Sequence, residues 1–171
     1  MNTGWENSRG RLLALHALEK TVRDMHRGDG FLYGNASSGS MWLTVLDEEL
    51  RETVGQEYEA LRDTQAPLIH GLIHVRNGVA HAALVTTQDG GLTAPLIAPL
   101  KVGPPSWRSI EELHRYWTPQ GLQKPIVQNR VAMYETHLAG VEPGATLQVA
   151  INFFRALERV GWVPEQFTTR D

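Results

Sequence analysis

The chain has 171 residues, 42% hydrophobic and 20% charged; that is enough apolar material for one sizeable core, leaves little for a second, and excludes a disordered chain. A net charge of −3 at pH 7 excludes a global pull toward nucleic acid or an anionic membrane, so a polyanion would have to meet a local patch. The absence of cysteine excludes disulfides, thiolate zinc sites and a cysteine nucleophile, and fits a reducing compartment.

From the N-terminus, Met1 to Arg11 has no apolar core of a leader peptide, and Leu12 to Leu18 is broken by His16 and closed by Glu19 and Lys20. No segment has the length and apolarity of a membrane span, so a cytoplasmic protein is expected. Beyond a Ser8 cap, Leu12, Leu15, Leu18, Val22 and Met25 recur at three and four residues, predicting an amphipathic helix that Gly28 ends. Gly28 to Ser40, rich in Gly, Ser and Asn, reads as a loop. Trp42, Leu46, Leu50, Val54, Tyr58 and Leu61 keep helical spacing and predict one long second helix, with Gly55 a weak point inside it.

Pro67 suits a first helical turn, and Leu68 to Leu84 is apolar on almost every side, which predicts a central buried helix. Thr86, Thr87 and Asp89-Gly90-Gly91 then suggest a small β-hairpin or irregular excursion over 85–101, limited by Pro95 and Pro99 to edge pairing. Ser109 and Glu112 form a capping box for a short helix. A further helix is expected from Pro125 to His137, stopping near Gly140. Leu147, Ile151, Phe154 and Leu157 mark a last one, closed by Gly161 and Pro164. No internal repeat interrupts the chain, and the expected fold is an all-α bundle in a single domain, 1–171.

The informative stretch is Leu68-Ile69-His70-Gly71-Leu72-Ile73-His74-Val75-Arg76-Asn77-Gly78-Val79-Ala80-His81. At about 100° per residue, His70, His74, Asn77 and His81 fall within roughly a 60° stripe, and Arg76 projects elsewhere. An unpaired polar group in a buried helix costs about 1–3 kcal/mol, so the stripe needs partners, and a symmetric interface between two copies would supply them. Three readings are open. The residues can be satisfied by core hydrogen bonds or solvent. His70 and His74, one turn apart, can hold a metal with His81, although no carboxylate lies nearby in sequence. Or Arg76 and His81 act together, a guanidinium fork on a phosphate and an imidazole moving a proton at the adjacent hydroxyl.

Arg76-Asn77-Gly78-Val79-Ala80-His81 resembles the signature of HEPN (higher eukaryotes and prokaryotes nucleotide-binding) domains, an Arg followed by a polar residue and, four to six positions on, a His near the end of an apolar helix. The flanking segments Trp42-Leu43-Thr44-Val45-Leu46-Asp47-Glu48-Glu49-Leu50 and Tyr134-Glu135-Thr136-His137-Leu138-Ala139-Gly140 are similar to uncharacterised actinobacterial members, and the likeness spans about residues 12–158. Many relatives carry a bulky or basic residue after the Asn, where this chain has Gly78.

The resemblance implies a HEPN-like helical bundle and a metal-independent endoribonuclease without a cofactor. His81 would assist attack of a ribose 2′-hydroxyl, Arg76 would stabilise the charged phosphoryl oxygens, and Asn77 would orient one of them, with His70 and His74 lining the substrate. The site would be composite, at a homodimer interface. The implied setting is phage defence or toxin action, with RNA as substrate and an antitoxin or defence-system protein as a further partner. The rival reading is a non-catalytic HEPN-like module that holds nucleotide or RNA, or serves an assembly.

Other groups carry less. Arg130 and His137 form a second Arg-to-His pair, but Val131 follows the Arg. Asp47, Glu48 and Glu49 read as the solvated face of an amphipathic helix. Trp107, Tyr116 and Trp117 with Arg108 and Arg115 resemble a base-stacking surface, with packing the simpler account. The glycines of 28–39 lack the lysine of a phosphate loop.

Overall fold

The computed structural model describes residues 4–28, 32–80, 87–88, 105–114 and 124–162. Its described residues are mostly helical: α1 Gly4–Arg27, α2 Leu32–Thr53, α3 Gln56–Gln65, α4 Leu68–Ala80, α5 Ile110–His114, α6 Pro125–His137 and α7 Pro143–Arg159, with β1 Thr87–Gln88 and β2 Ser106–Trp107. The all-α expectation stands. No described helix is long and apolar enough to cross a membrane.

α1 begins at Gly4, earlier than the Ser8 cap, and buries Leu15, Leu18 and Val22. Gly28 ends it at φ 69°, a conformation that glycine adopts without a Cβ penalty.

Most of the expected loop at 28–40 is helix instead, because α2 starts at Leu32. Its small residues are the reason. Ala36, Gly39 and Ser40 face inward, and a Cβ at Gly39 would lie 2.7 Å from Leu147 Cδ1. Close approach of α7 thus selects side chains that local propensity alone assigns to a loop. Their hydroxyls are satisfied within the helix, Ser40 Oγ donating to Ala36 O at 3.0 Å and Thr44 Oγ1 to Ser40 O at 2.8 Å.

The single long second helix is two. Gly55 at φ 75° reverses the chain between α2 and α3, after Val54 and Gly55 both donate to Leu50 O. α3 folds back along α2, which brings Arg62 to Asp47 and Glu59 to Arg51. After Ala66 and Pro67 the chain turns again, and His70 of α4 meets Asp63 of α3. α4 packs against α2. It buries Leu68, Ile69, Leu72, Ile73 and Val75 between α2 on one side and α6 on the other, the central position its apolar sequence predicts. Residues 81–84 of the predicted span lie outside the described residues.

The strand at Thr87–Gln88 pairs antiparallel with Ser106–Trp107, in the register Thr87 to Trp107 and Gln88 to Ser106. The partner of Thr87–Gln88 thus lies beyond residue 101, and residues 89–104 lie outside the described residues. Trp107 is a core residue: it is buried, exchanges backbone bonds with Gly140 and Val141, and donates Nε1–H to Thr146 Oγ1 at 2.8 Å. The capping box forms as predicted, Glu112 N–H donating to Ser109 Oγ and Ser109 N–H to Glu112 Oε2 at 3.3 Å each.

α6 returns against α4. A Cβ at Gly71 would come within 3.0 Å of Tyr134 N and Cα and of Leu138 Cδ1, so the two backbones are in near contact. Gly140, at φ 76°, turns the chain into α7, whose apolar face buries Leu147, Ile151, Phe154 and Leu157. α7 packs on α1 and α2, and Arg155 clamps Glu19 through two bonds of 2.6 and 2.7 Å.

Candidate functional site

α4 holds the sequence-predicted residues in three different environments. At its first turn, half-buried His70 has Nε2 2.8 Å from Asp63 Oδ1. The same carboxylate oxygen accepts two bonds from Arg62, 3.0 Å from Nε and 2.9 Å from Nη2. Burial alone would raise the Asp63 pKa, but the bonds from His70 and Arg62 outweigh it and hold the carboxyl below its ordinary value.

One turn on, His74 is 1% exposed and packs edge-on against Tyr134, with ring centroids 6.0 Å apart. Tyr134 is anchored in turn by its hydroxyl, which donates to Arg108 O at 2.6 Å. Burial, with Glu112 adding to it, pushes this phenol well above its usual pKa, so it stays a neutral donor. A ring sealed to this degree offers no surface to a substrate in the single chain. His74 braces α4 against α6.

At the far end of α4, Arg76 Nη1 donates to Asn77 Oδ1 at 3.0 Å, and both side chains are half-buried. Asn77 thus accepts from the neighbouring guanidinium with its carbonyl, leaving its amide N–H groups and the remaining Arg76 donors for an acceptor outside. Guanidinium and amide N–H groups are donors that suit an anionic oxygen. His81 follows Ala80 and lies outside the described residues.

The histidine pair of the metal reading diverges, His70 toward α3 and His74 toward α6. Among the described residues no three His, Asp or Glu side chains converge as ligands.

A second polar centre lies where a solvated face was expected. Glu48 is exposed and Glu49 half-buried, but Asp47 is 1% exposed. Its Oδ1 accepts from Tyr58 Oη at 2.8 Å and from Arg62 Nη1 at 2.9 Å, which makes a continuous chain Tyr58–Asp47–Arg62–Asp63–His70 across α2, α3 and α4. The sequence carried a signal for it. Asp47 stands one turn after Leu43 and beside Leu46, both fully buried, so it belongs to the apolar stripe of α2. Tyr58 loses most of its water there, and burial and the Asp47 charge raise its pKa well above the ordinary value.

Comparison of the chain with protein-family models, with curated proteins and with solved structures finds no match.

Proposed function

We propose that the chain is a metal-independent endoribonuclease of HEPN type, working as a homodimer in the cytoplasm in phage defence or as a toxin. The observation that carries the reading is the Arg76–Asn77 pair at the far end of the central helix, joined by a 3.0 Å hydrogen bond from guanidinium to amide oxygen and standing at motif distance before His81. In this reading His81 takes the proton of a ribose 2′-hydroxyl as that oxygen attacks the adjacent phosphorus. The bond from phosphorus to the 5′-oxygen breaks, and that oxygen takes a proton from the His81 of the second copy. Arg76 meets the charge building on the phosphoryl oxygens, and Asn77 holds Arg76 in place while its amide points to the same oxygens. His70 serves at the edge of the site and His74 behind it, as packing.

The test is cleavage of structured and unstructured RNA with a chelator present throughout. His81→Ala is expected to abolish cleavage while much of the RNA binding remains, because proton transfer acts in the transition state. Arg76→Ala is expected to weaken both, and Arg76→Lys to rescue poorly, since a point charge does not reproduce the fork. Binding by the wild type without cleavage of any RNA would support the non-catalytic module instead.

A further inference from the structure

Trp42 shares the apolar spacing of α2, yet it is not a core residue: it is 41% exposed, and its neighbours Met41 and Val45 are more so. At about 100° per residue, Met41, Val45, Glu48 and Glu52 stand within roughly 60° of one another around the helix, and Trp42 borders them. One exposed stripe is therefore apolar first and acidic after. The outer face of α1 differs, with His16, Lys20 and Arg23 in water. Single exposed apolar side chains are ordinary, but three adjoining ones with a tryptophan among them mark a surface for a partner.

The acidic end sets the chemistry of that partner. Glu48, Arg51, Glu52 and Glu59 line a surface pocket of about 180 Å³. Its own cation is already engaged, since Arg51 Nε donates to Glu59 Oε1 at 2.7 Å. Among the described residues Glu48 and Glu52 make no hydrogen bond or ion pair, although the charge of Glu48 is felt at Arg130. The pocket is thus left with a surplus of negative charge. It also lies at the last turns of α2, which ends at Thr53, where the helix dipole favours a cation. From Met41 to Glu52 is about 16 Å at 1.5 Å per residue, or about three turns, so a helix laid along the stripe covers both parts. A second copy does not satisfy both: whichever way two such stripes meet, neither brings a free cation to the carboxylates of the other.

We propose that this face of α2 is the docking site of a basic amphipathic helix from another protein, its apolar side chains on Met41, Trp42 and Val45 and a Lys or Arg in the pocket at Glu48 and Glu52. Covering Trp42 supplies most of the affinity, because a large ring taken out of water inside an interface contributes more than an exposed ion pair. The carboxylates select the sign of the partner and its direction along α2. Arg76 and Asn77 take no part in this, so the surface stands or falls separately from the ribonuclease reading.

The experiment selects binders of the full chain from a displayed library of helical peptides with randomised faces. Enriched peptides are expected to carry large apolar residues three or four positions apart and a Lys or Arg one or two turns further along the same face. By fluorescence anisotropy, such a peptide should bind Trp42→Ser at least about tenfold more weakly, and the double variant Glu48→Gln, Glu52→Gln about fivefold more weakly with a shallower salt dependence. These side chains are exposed, and circular dichroism checks that the variants keep the fold. On the wild type itself, the Trp42 indole N–H resonance should shift as the peptide saturates. No enrichment, enriched peptides without a basic residue, or binding that Trp42→Ser leaves unchanged overturns the proposal. A wild-type dimer that Trp42→Ser alone turns into a monomer overturns it as well, because the occupant is then a second copy.

Discussion

Asp47 exchanges its water for two donors, the Tyr58 hydroxyl and an Arg62 N–H, both on the same oxygen and both from the helix that folds back over it. A buried ion pair of this kind gives little net stability over an apolar pair of the same volume, but removing one partner strands the other charge in the core. Asp47→Ala is therefore expected to destabilise the fold by about 3 kcal/mol in chemical denaturation, because Arg62 and Tyr58 lose their acceptor together. The combination Asp47→Leu, Arg62→Met and Tyr58→Phe should recover most of that loss. A cost below about 1 kcal/mol for the single change would mean that water reaches the site and screens the pair. At this scale the sequence was legible where a residue type has one habitual use. Leu15, Leu46, Leu50, Leu72 and Phe154 are buried as their spacing predicts. It was less legible for charged groups, since the partner of Asp47 comes from 15 residues away across a chain reversal, and helical periodicity carries no information about such a pairing.

The elements follow from side-chain size as much as from polarity. Gly71 and Gly39 both sit at helix crossings, yet they meet different atoms. At Gly71 the obstacle is the Tyr134 backbone at 3.0 Å, and at Gly39 it is the end of the Leu147 side chain at 2.7 Å. A leucine rotates and a helix backbone does not. Gly71→Ala should cost about 1–3 kcal/mol by pushing α6 from α4, and Gly39→Ala clearly less, both measured by denaturant midpoint. The reverse order would show that α6 yields more easily than the packing implies. The same consideration explains what the sequence hid. The small residues Ala36, Gly39 and Ser40 read as a loop because their composition favours one, whereas in the fold all three are buried and Gly39 lies against Leu147 of α7. The split between α2 and α3 was signalled only by Gly55, whose positive φ depends on the reversal it makes. The capping box at Ser109, the stop at Gly140 and the last helix were legible because each is written in residues close together in sequence.

For the whole molecule, the expected need for an interface changes in kind. His70 meets Asp63 within one chain, so the first member of the polar stripe does not require a second copy, and His74 packs against Tyr134. The argument for a dimer now lies at the other end of α4, where one Arg and one His make a sparse site that a two-fold axis would double. We predict a dimer by light scattering at micromolar concentration, with Asn77→Trp shifting it toward monomer by wedging a bulky ring at that end. A monomer throughout would remove the composite site. The Arg76 and Asn77 contact could be foreseen as a motif, but not as a hydrogen bond between adjacent side chains, which depends on how the last turns of α4 emerge from the core.

The central claim is that this end of α4 cleaves RNA by internal attack, and the chemical identity of the product ends tests it most directly. With a chelator present, the wild type should leave 2′,3′-cyclic phosphates, and a substrate with a single 2′-deoxyribose at the cleavage point should resist there, because the nucleophile belongs to the substrate. Products ending in a 3′-hydroxyl and a 5′-phosphate, or undiminished cleavage at the deoxyribose, would contradict the account.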